Sequence, residues 1–108
     1  MPSANVKLVV FVPLSYTDIV RKTLGEAGAG KIGNYDSCSF SSRGIGRFRG
    51  NEDSNPVIGK SEQYEAVEEE RIEVLVPRSI LSHVVTELKR VHPYDEVAFD
   101  VYPMETIE

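Results

Sequence analysis

The pattern that most constrains the fold is a strand followed by an amphipathic helix, and it occurs twice. Residues 6–12 are apolar at nearly every position, as in a strand covered on both faces, and Pro13 ends the run. Apolar residues then recur at helical spacing over 16–27. The same order returns as a strand pattern over 66–76 and helical spacing over 80–91. A chain with two such halves folds as a layer of helices on a sheet.

Two further strands complete the pattern. Residues 35–48 favour a strand in which Gly44 and Gly46 mark a bend or bulge, and residues 97–101 alternate as a final strand. The order β-α-β-β-α-β predicts an α+β, ferredoxin-like two-layer sandwich. A length of 108 residues fits one domain, which we assign to the whole range 1–108.

Composition excludes several classes of function. A formal charge of −5 opposes non-specific nucleic-acid binding, which requires a basic face. No apolar run is long enough to cross a bilayer, and the first residues lack a leader pattern, so we expect no membrane partner. The single cysteine excludes an internal disulfide and fits a reducing compartment, so the expected location is the cytoplasm.

The sheet face away from the helices predicts self-association. If Leu8 and Val10 point toward the helices, Val9 and Phe11 point away from them. Apolar surface left in water costs about 25 cal/mol per Å². A second copy of the chain would cover that surface, so we expect a homo-oligomer, either a dimer or a trimer. The alternative is that the polar connection over 49–64 covers it.

The connection after each helix is richer in polar and aromatic residues than a plain connector needs. The glycine-rich run in the first connection can present backbone N–H groups to an anion. It is not a P-loop, because no Gly-Lys-Ser/Thr follows and the run comes after a helix instead of before one. Helix termination and tight turns explain the same glycines without a ligand. The candidate ligand-binding residues from the two connections are Gly33, Asn34, Tyr35, His92, Tyr94 and Glu96.

A divalent metal site is the alternative use of these residues. His92, Asp95 and Glu96 offer nitrogen and carboxylate donors that suit zinc or copper, and Cys38 would join them from a neighbouring chain. The competing structural interpretations are a helix cap for His92 and a buried core thiol for Cys38, which shares strand parity with Phe40. No set of nucleophile, base and orienting acid is present, so we predict no catalytic residue and no cofactor.

A set of short motifs runs in order along nearly the whole chain and resembles one known domain. The motifs are Val12-Pro13, Gly28-Ala29-Gly30, Ile32-Gly33-Asn34-Tyr35, Cys38-Ser39-Phe40, Gly44 with Gly46 and Phe48, Asn55-Pro56 with Ile58-Gly59, Glu69 with Arg71, and His92-Pro93-Tyr94 with Glu96. They resemble the inserted domain of the Nif-three-like family, whose members are also named GTP cyclohydrolase I type 2 homologues. That insert is similar to CutA and the PII signalling proteins.

The resemblance implies a free-standing CutA-like or PII-like module that forms oligomers. Our hypothesis is a non-catalytic regulatory module that binds a small ligand or a partner protein; the alternative is CutA-like binding of a divalent metal through His92 and nearby carboxylates. The family's dinuclear metal site lies on two segments that flank the insert, and neither segment occurs in this sequence, so the resemblance implies no hydrolase activity. Asp95 and Val97 replace the glutamate and proline common in the family.

Overall fold

The predicted order of elements is confirmed by a computed structural model that describes residues 1–55 and 59–107. A short 3₁₀ turn precedes each helix, at Leu14–Tyr16 and Arg78–Ile80. The strands are β1 (Pro2–Pro13), β2 (Phe40–Arg49), β3 (Tyr64–Pro77) and β4 (Phe99–Glu105), and the helices are α1 (Thr17–Glu26) and α2 (Leu81–Val91). Of the family motif around the β2–β3 connection, Pro56 and Ile58 lie outside the described residues.

The four strands form one antiparallel sheet in the order β2-β3-β1-β4, as a ferredoxin-like fold requires. Leu8 of the central strand β1 lies opposite Val74 of β3 and Val101 of β4. Both helices pack on the face that carries Leu8, and this layer is the core. Its fully buried side chains are Val6, Leu8, Val10, Val12, Val20, Leu24, Ile72, Val76, Val84 and Leu88. None of the described helices is long and apolar enough to cross a membrane.

The face of the sheet without helices is less bare than we expected. Val9 is fully buried within a single chain and Phe11 is half-buried, so the expectation that both lie uncovered is wrong for Val9. Glu73 and Asp100 lie on either side of Val9 in the register. Lys7 forms an ion pair with Glu73 at 3.7 Å, so long polar side chains close over this part of the face.

The structure moves the start of the second strand. We predicted a strand over 35–48, but β2 begins at Phe40, because the chain between Gly30 and Cys38 closes a loop in which Cys38 N–H donates to Gly30 O at 2.8 Å. Cys38 therefore precedes the strand and is half-buried, and Phe40 is 67% exposed. The prediction of a core thiol at Cys38 is wrong.

The hairpin of β2 and β3 extends beyond the sheet as a two-stranded ribbon. β1 pairs with β3 only as far as Glu69, so the first residues of β3 pair with β2 alone. The pairing is continuous from Phe40 to Arg49, so the predicted bulge at the strand glycines is wrong. Arg43 lies opposite Glu70 in the register, and the Glu70 carboxylate accepts from Arg21 of α1 at 2.6 Å.

Candidate functional site

His92 lies where β4 would continue along β1. Pro93 disfavours helix at the residue before it, so α2 ends and His92 adopts extended backbone angles of φ −72° and ψ 137°. Phe11 N–H donates to Ala98 O at 3.2 Å, and beyond that point Phe11 O pairs with His92 Nε2 at 2.8 Å. The imidazole thus supplies the hydrogen bond to Phe11 O that a backbone N–H of a longer β4 would otherwise make. The backbone N–H of His92, not the ring, bonds to the helix carbonyl of Leu88, so the expected helix cap by the imidazole is wrong.

Two hydrogen bonds fix the protonation of the His92 ring. Tyr94 N–H donates to Nδ1 at 3.2 Å, so Nδ1 is the acceptor and Nε2 carries the proton that it donates to Phe11 O. Burial lowers the pKa of His92 below its ordinary value of 6.5, while the bond to Phe11 and the charge of Glu69 act in the opposite direction. The ring is therefore neutral at neutral pH, and both of its nitrogens are engaged.

Tyr94 connects His92 to the ribbon. Its ring contacts His92 and Phe48, with centroids 5.1 and 5.9 Å away, and its hydroxyl donates to Glu69 Oε2 at 3.0 Å. Burial, together with the hydrogen bond and the charge of Glu69, raises the pKa of Tyr94 well above its ordinary value of 10.0. The hydroxyl therefore stays protonated and acts as a donor.

Glu69 is the residue of this network that the sequence analysis missed as a site residue. It is 7% exposed, although it belongs to a run of acidic residues that looks solvated in the sequence. Its carboxylate lies over the backbone of β2, where a Cβ at Gly46 would overlap Oε1. Gly46 thus permits a close approach of the carboxylate to the strand. Two glycines at alternate positions of one strand were the signal for this open space.

A cleft of about 590 Å³ opens between the ribbon and the segment that follows His92. Tyr94, Asp95 and Glu96 form one wall, and Asn55 N–H donates to Asp95 Oδ2 at 3.2 Å, which ties the β2–β3 connection to this wall. The rest of the lining comes from the three strands β1, β2 and β3 and from residues next to them: Phe11, Ser42, Arg43, Gly44, Ile45, Gly46, Arg47, Phe48, Arg49, Gly50, Ser54, Glu69, Arg71 and Ala98. The Arg71 guanidinium lies 5.9 Å from the Phe11 ring centroid and bonds to Glu73 at 3.3 Å.

The other predicted ligand-binding residues lie far from this cleft. Gly33 and Asn34 form an exposed turn closed by two hydrogen bonds between Ile32 and Tyr35, at 2.9 and 3.0 Å. This loop is anchored where Gly30 N–H donates to Leu75 O at 2.7 Å. Leu75 is six residues along β3 from Glu69, about 20 Å in an extended strand. One chain therefore brings Tyr94 and Glu96 to the cleft beside His92 and places Gly33, Asn34 and Tyr35 at the opposite end of the sheet.

The predicted metal ligands are likewise divided. His92 has both ring nitrogens in hydrogen bonds, Asp95 accepts from Asn55, and Glu96 is exposed on the cleft wall. Cys38 is at the other end of the sheet, with its thiol 3.7 Å from Asp36 O. Within residues 1–55 and 59–107, no group of three or more His, Cys, Asp or Glu side chains is placed to hold a metal ion.

Comparison with known proteins supports the resemblance seen in the sequence. No protein-family model matches the chain. A GTP cyclohydrolase 1 type 2 homologue of Halalkalibacterium halodurans is 51% identical over 98 residues, which are 91% of this chain and 26% of that protein. The crystal structure of a Bacillus cereus protein related to NIF3 matches 98% of this chain and 27% of its own, with 45% identity and a TM-score of 0.81.

A more distant similarity establishes the fold class. The periplasmic divalent cation tolerance protein CutA of Archaeoglobus fulgidus matches 96% of this chain and 87% of its own, with 18% identity and a TM-score of 0.70. The chain spans about a quarter of the length of the curated relatives it matches. It is thus homologous to one segment of the NIF3-related GTP cyclohydrolase 1 type 2 homologues, and that segment has the CutA-like fold.

Proposed function

We propose that this chain is a non-catalytic, oligomeric regulatory module that binds a small ligand or a partner protein in the cleft beside Tyr94. The cleft itself carries the proposal, because a concave surface of about 590 Å³ with apolar walls and a few oriented polar groups is what ligand sites have in common. Tyr94 and Glu96, two of the residues predicted from the sequence, line it. Similarity to NIF3-related and CutA proteins supports a small binding module.

The chemistry of the cleft favours binding over catalysis. A general base needs a free acceptor, whereas His92 uses Nδ1 to accept from Tyr94 and Nε2 to donate to Phe11. The Tyr94 hydroxyl is held as a donor to Glu69, so it is no nucleophile. These groups fix the shape of the cleft, and their hydrogen bonds are already used within the fold.

Self-association fits the outer surfaces of the sheet. Among the described residues, β2 and β4 are the edge strands of the sheet and are each paired on one side only, which invites pairing with another chain. On the helix-free face, Phe40 is 67% exposed and Tyr102 is 44% exposed, so apolar surface remains even though Val9 is covered. Sedimentation velocity at micromolar concentration should give a dimer or a trimer. A monomer at that concentration would refute this part of the proposal.

A ligand screen with a blocked cleft tests the binding role. A ligand that prefers the native state raises the melting temperature, so a library of metabolites is screened by thermal shift. A Cβ at Gly44 would have no atom within 4 Å, so Gly44→Leu has room to place an apolar side chain in the cleft and obstruct it. Tyr64→Leu is the matched control, because Tyr64 is 86% exposed, does not line the cleft and lies on the opposite surface of the ribbon.

The screen separates the outcomes clearly. We expect hits that stabilise the wild type and the Tyr64→Leu variant, and that have no effect on Gly44→Leu. Hits that stabilise all three proteins equally would place binding elsewhere and refute the cleft as the site. The screen includes zinc and copper salts, because they test the alternative function of divalent-metal binding. The predicted ligands His92, Asp95, Glu96 and Cys38 could meet only if a second subunit supplied some of them.

A further inference from the structure

One carboxylate at the base of the cleft has no charge partner among the described residues. Glu69 is 7% exposed and forms no ion pair there. Its Oε2 accepts from Tyr94, and its Oε1 has no hydrogen-bond donor in the described part of the chain. No fully buried side-chain oxygen or nitrogen in that part lacks a partner, so Oε1 is open to the cleft that Glu69 lines. A carboxylate this deeply buried calls for a cation or a strong donor.

The other charges around the cleft strengthen that requirement. Asp95 and Glu96 add two more carboxylates to the wall. Arg71, the cation two residues further along β3 on the same face, is engaged with Glu73 and lies over Phe11. Arg43, Arg47 and Arg49 of β2 also border the cleft, but the strand register turns their side chains toward the opposite surface of the ribbon. They lie across from Glu70, Ala66 and Tyr64. Apart from those three arginines, the lining side chains carry the carboxylates of Glu69, Asp95 and Glu96 against the one guanidinium of Arg71, which is already paired with Glu73.

The remaining walls suit an apolar or aromatic body. The rings of Phe11, Phe48 and Tyr94 line the cleft, and Gly44 and Gly46 leave the β2 backbone without a side chain at two positions of its ribbon side. Aromatic faces attract cations through their quadrupoles, and a flat group fits against the strand backbone at the two glycines. Apolar walls and a buried anion at the base are complementary to an apolar cation.

We infer that the cleft takes a ligand with an ammonium or amidinium-type cation on an apolar body, and that Glu69 Oε1 receives its N–H groups. This inference rests on the proposed function, since it names the chemistry of the ligand in the same cleft. The cation comes either from a free small molecule or from a lysine or arginine side chain of a second copy of this chain. Both sources present the same group to Glu69.

A charge-matched titration tests the inference. Benzamidine is the cationic probe, and benzamide is the neutral probe of the same shape; both are titrated by calorimetry into wild type, Glu69→Gln and Glu68→Gln. Glu68 is the control, because it is adjacent in β3 but points to the opposite surface of the ribbon. We expect benzamidine to bind at least about 10-fold more tightly than benzamide, Glu69→Gln to abolish that preference, and Glu68→Gln to change it less than about twofold.

A second readout needs no variant. In ¹⁵N-labelled wild type, benzamidine should shift the amide resonances of Gly46, Glu69 and Tyr94, and benzamide at the same concentration should not. Equal binding of the two probes, or an undiminished preference in Glu69→Gln, would overturn the inference. A screen that yields only anionic ligands, lost in Gly44→Leu, would also overturn it and would leave the proposed function intact.

Sedimentation velocity then distinguishes the two sources of the cation. If a small molecule is the occupant, saturating benzamidine leaves the assembly unchanged. If a side chain of a second copy is the occupant, benzamidine dissociates the assembly and Glu69→Gln raises its dissociation constant about 10-fold or more. Either result supports the shared chemistry.

Discussion

The two connections that lead from a helix back to the sheet are held by different means. The connection after α1 is held by backbone: Gly30 N–H bonds to Leu75 O, and Gly30 O accepts from Cys38 N–H. The connection after α2 is held by side chains, since His92 bonds to β1 and Tyr94 bonds to Glu69 of β3.

This difference shows how equivalent positions in a repeated topology diverge. A backbone-held loop needs glycine at a few sites and leaves its other side chains free, which is why Tyr35 is 75% exposed. A side-chain-held loop orders a histidine, a tyrosine and a glutamate against one another. The first connection borders a more open hollow with Lys31, Asp36 and Ser39. The second places hydrogen-bonded side chains beside the more enclosed, apolar-walled cleft, and we therefore assign binding to the connection after α2.

Substitution of Gly30 should cause the largest loss in the free energy of unfolding. Gly30 has a φ of +83°, and a Cβ there would lie 2.5 Å from Cys38 O and 2.7 Å from Cys38 N. Gly30→Ala should lower the free energy of unfolding by about 3 kcal/mol, from the left-handed backbone and the clash together. Gly33→Ala is the control, with a φ of +57° and open space, and should lose only about 1 kcal/mol in urea denaturation. Equal losses would contradict a loop held by this close approach.

Replacement of His92 should cause the next largest loss of unfolding free energy, and it should also weaken the dependence of that free energy on pH. His92→Gln should lose about 2 kcal/mol, because it disturbs two buried hydrogen bonds. In the wild type, the folded pKa of His92 lies below 6.5, so the unfolded chain takes up the proton first as the pH falls. Stability contributed by the neutral ring is present above pH ~6.5 and falls until the pH reaches the folded pKa.

Denaturation curves at several pH values check this dependence. The slope of unfolding free energy against pH between about 7 and 5.5 should be smaller in His92→Gln than in the wild type. His83→Gln is the control, because His83 is exposed on α2, and it should keep the wild-type slope. An unchanged slope in His92→Gln would mean that the buried ring is not responsible.

Removal of the Tyr94 hydroxyl should lower the free energy of unfolding by less than the replacement of His92. Tyr94→Phe leaves Glu69 Oε2 without its donor, at a cost of about 1.5 kcal/mol. Tyr35→Phe removes a hydroxyl from the other connection and should stay within about 0.5 kcal/mol of the wild type, because Tyr35 is exposed. Equal losses of unfolding free energy in the two tyrosine variants would contradict the claim that only the connection after α2 is held by its side chains.

The sequence predicts the fold because the core pattern is local. The alternation around Leu8 and the helical spacing around Val84 depend only on neighbouring residues, and both regions are buried as expected. The prediction of a core thiol at Cys38 is wrong because strand parity counted back from Phe40 assumes that the strand has already begun. The turn that ends at Cys38 depends instead on a contact with Gly30.

The candidate site could be predicted only in part. His92 and Tyr94 were singled out because proline and an aromatic residue at a helix end are unusual in a connector. Glu69 enters only as part of a family motif and not as a site residue, because its burial depends on Tyr94, 25 positions away in the sequence, and on Gly46 in another strand. Val9 was expected to be bare because the pattern shows which way it points but not that Lys7 and Glu73 form an ion pair beside it.

Amide shift mapping with a ligand found in the screen tests most directly whether the connection after α2 forms the binding site. With ¹⁵N-labelled chain, the resonances of Gly44, Gly46 and Tyr94 should move in proportion to ligand saturation, and those of Gly33 and Asn34 should stay in place. Movement of Gly33 and Asn34 with no change at Gly44, Gly46 and Tyr94 would contradict this assignment and would put the site in the glycine-held connection.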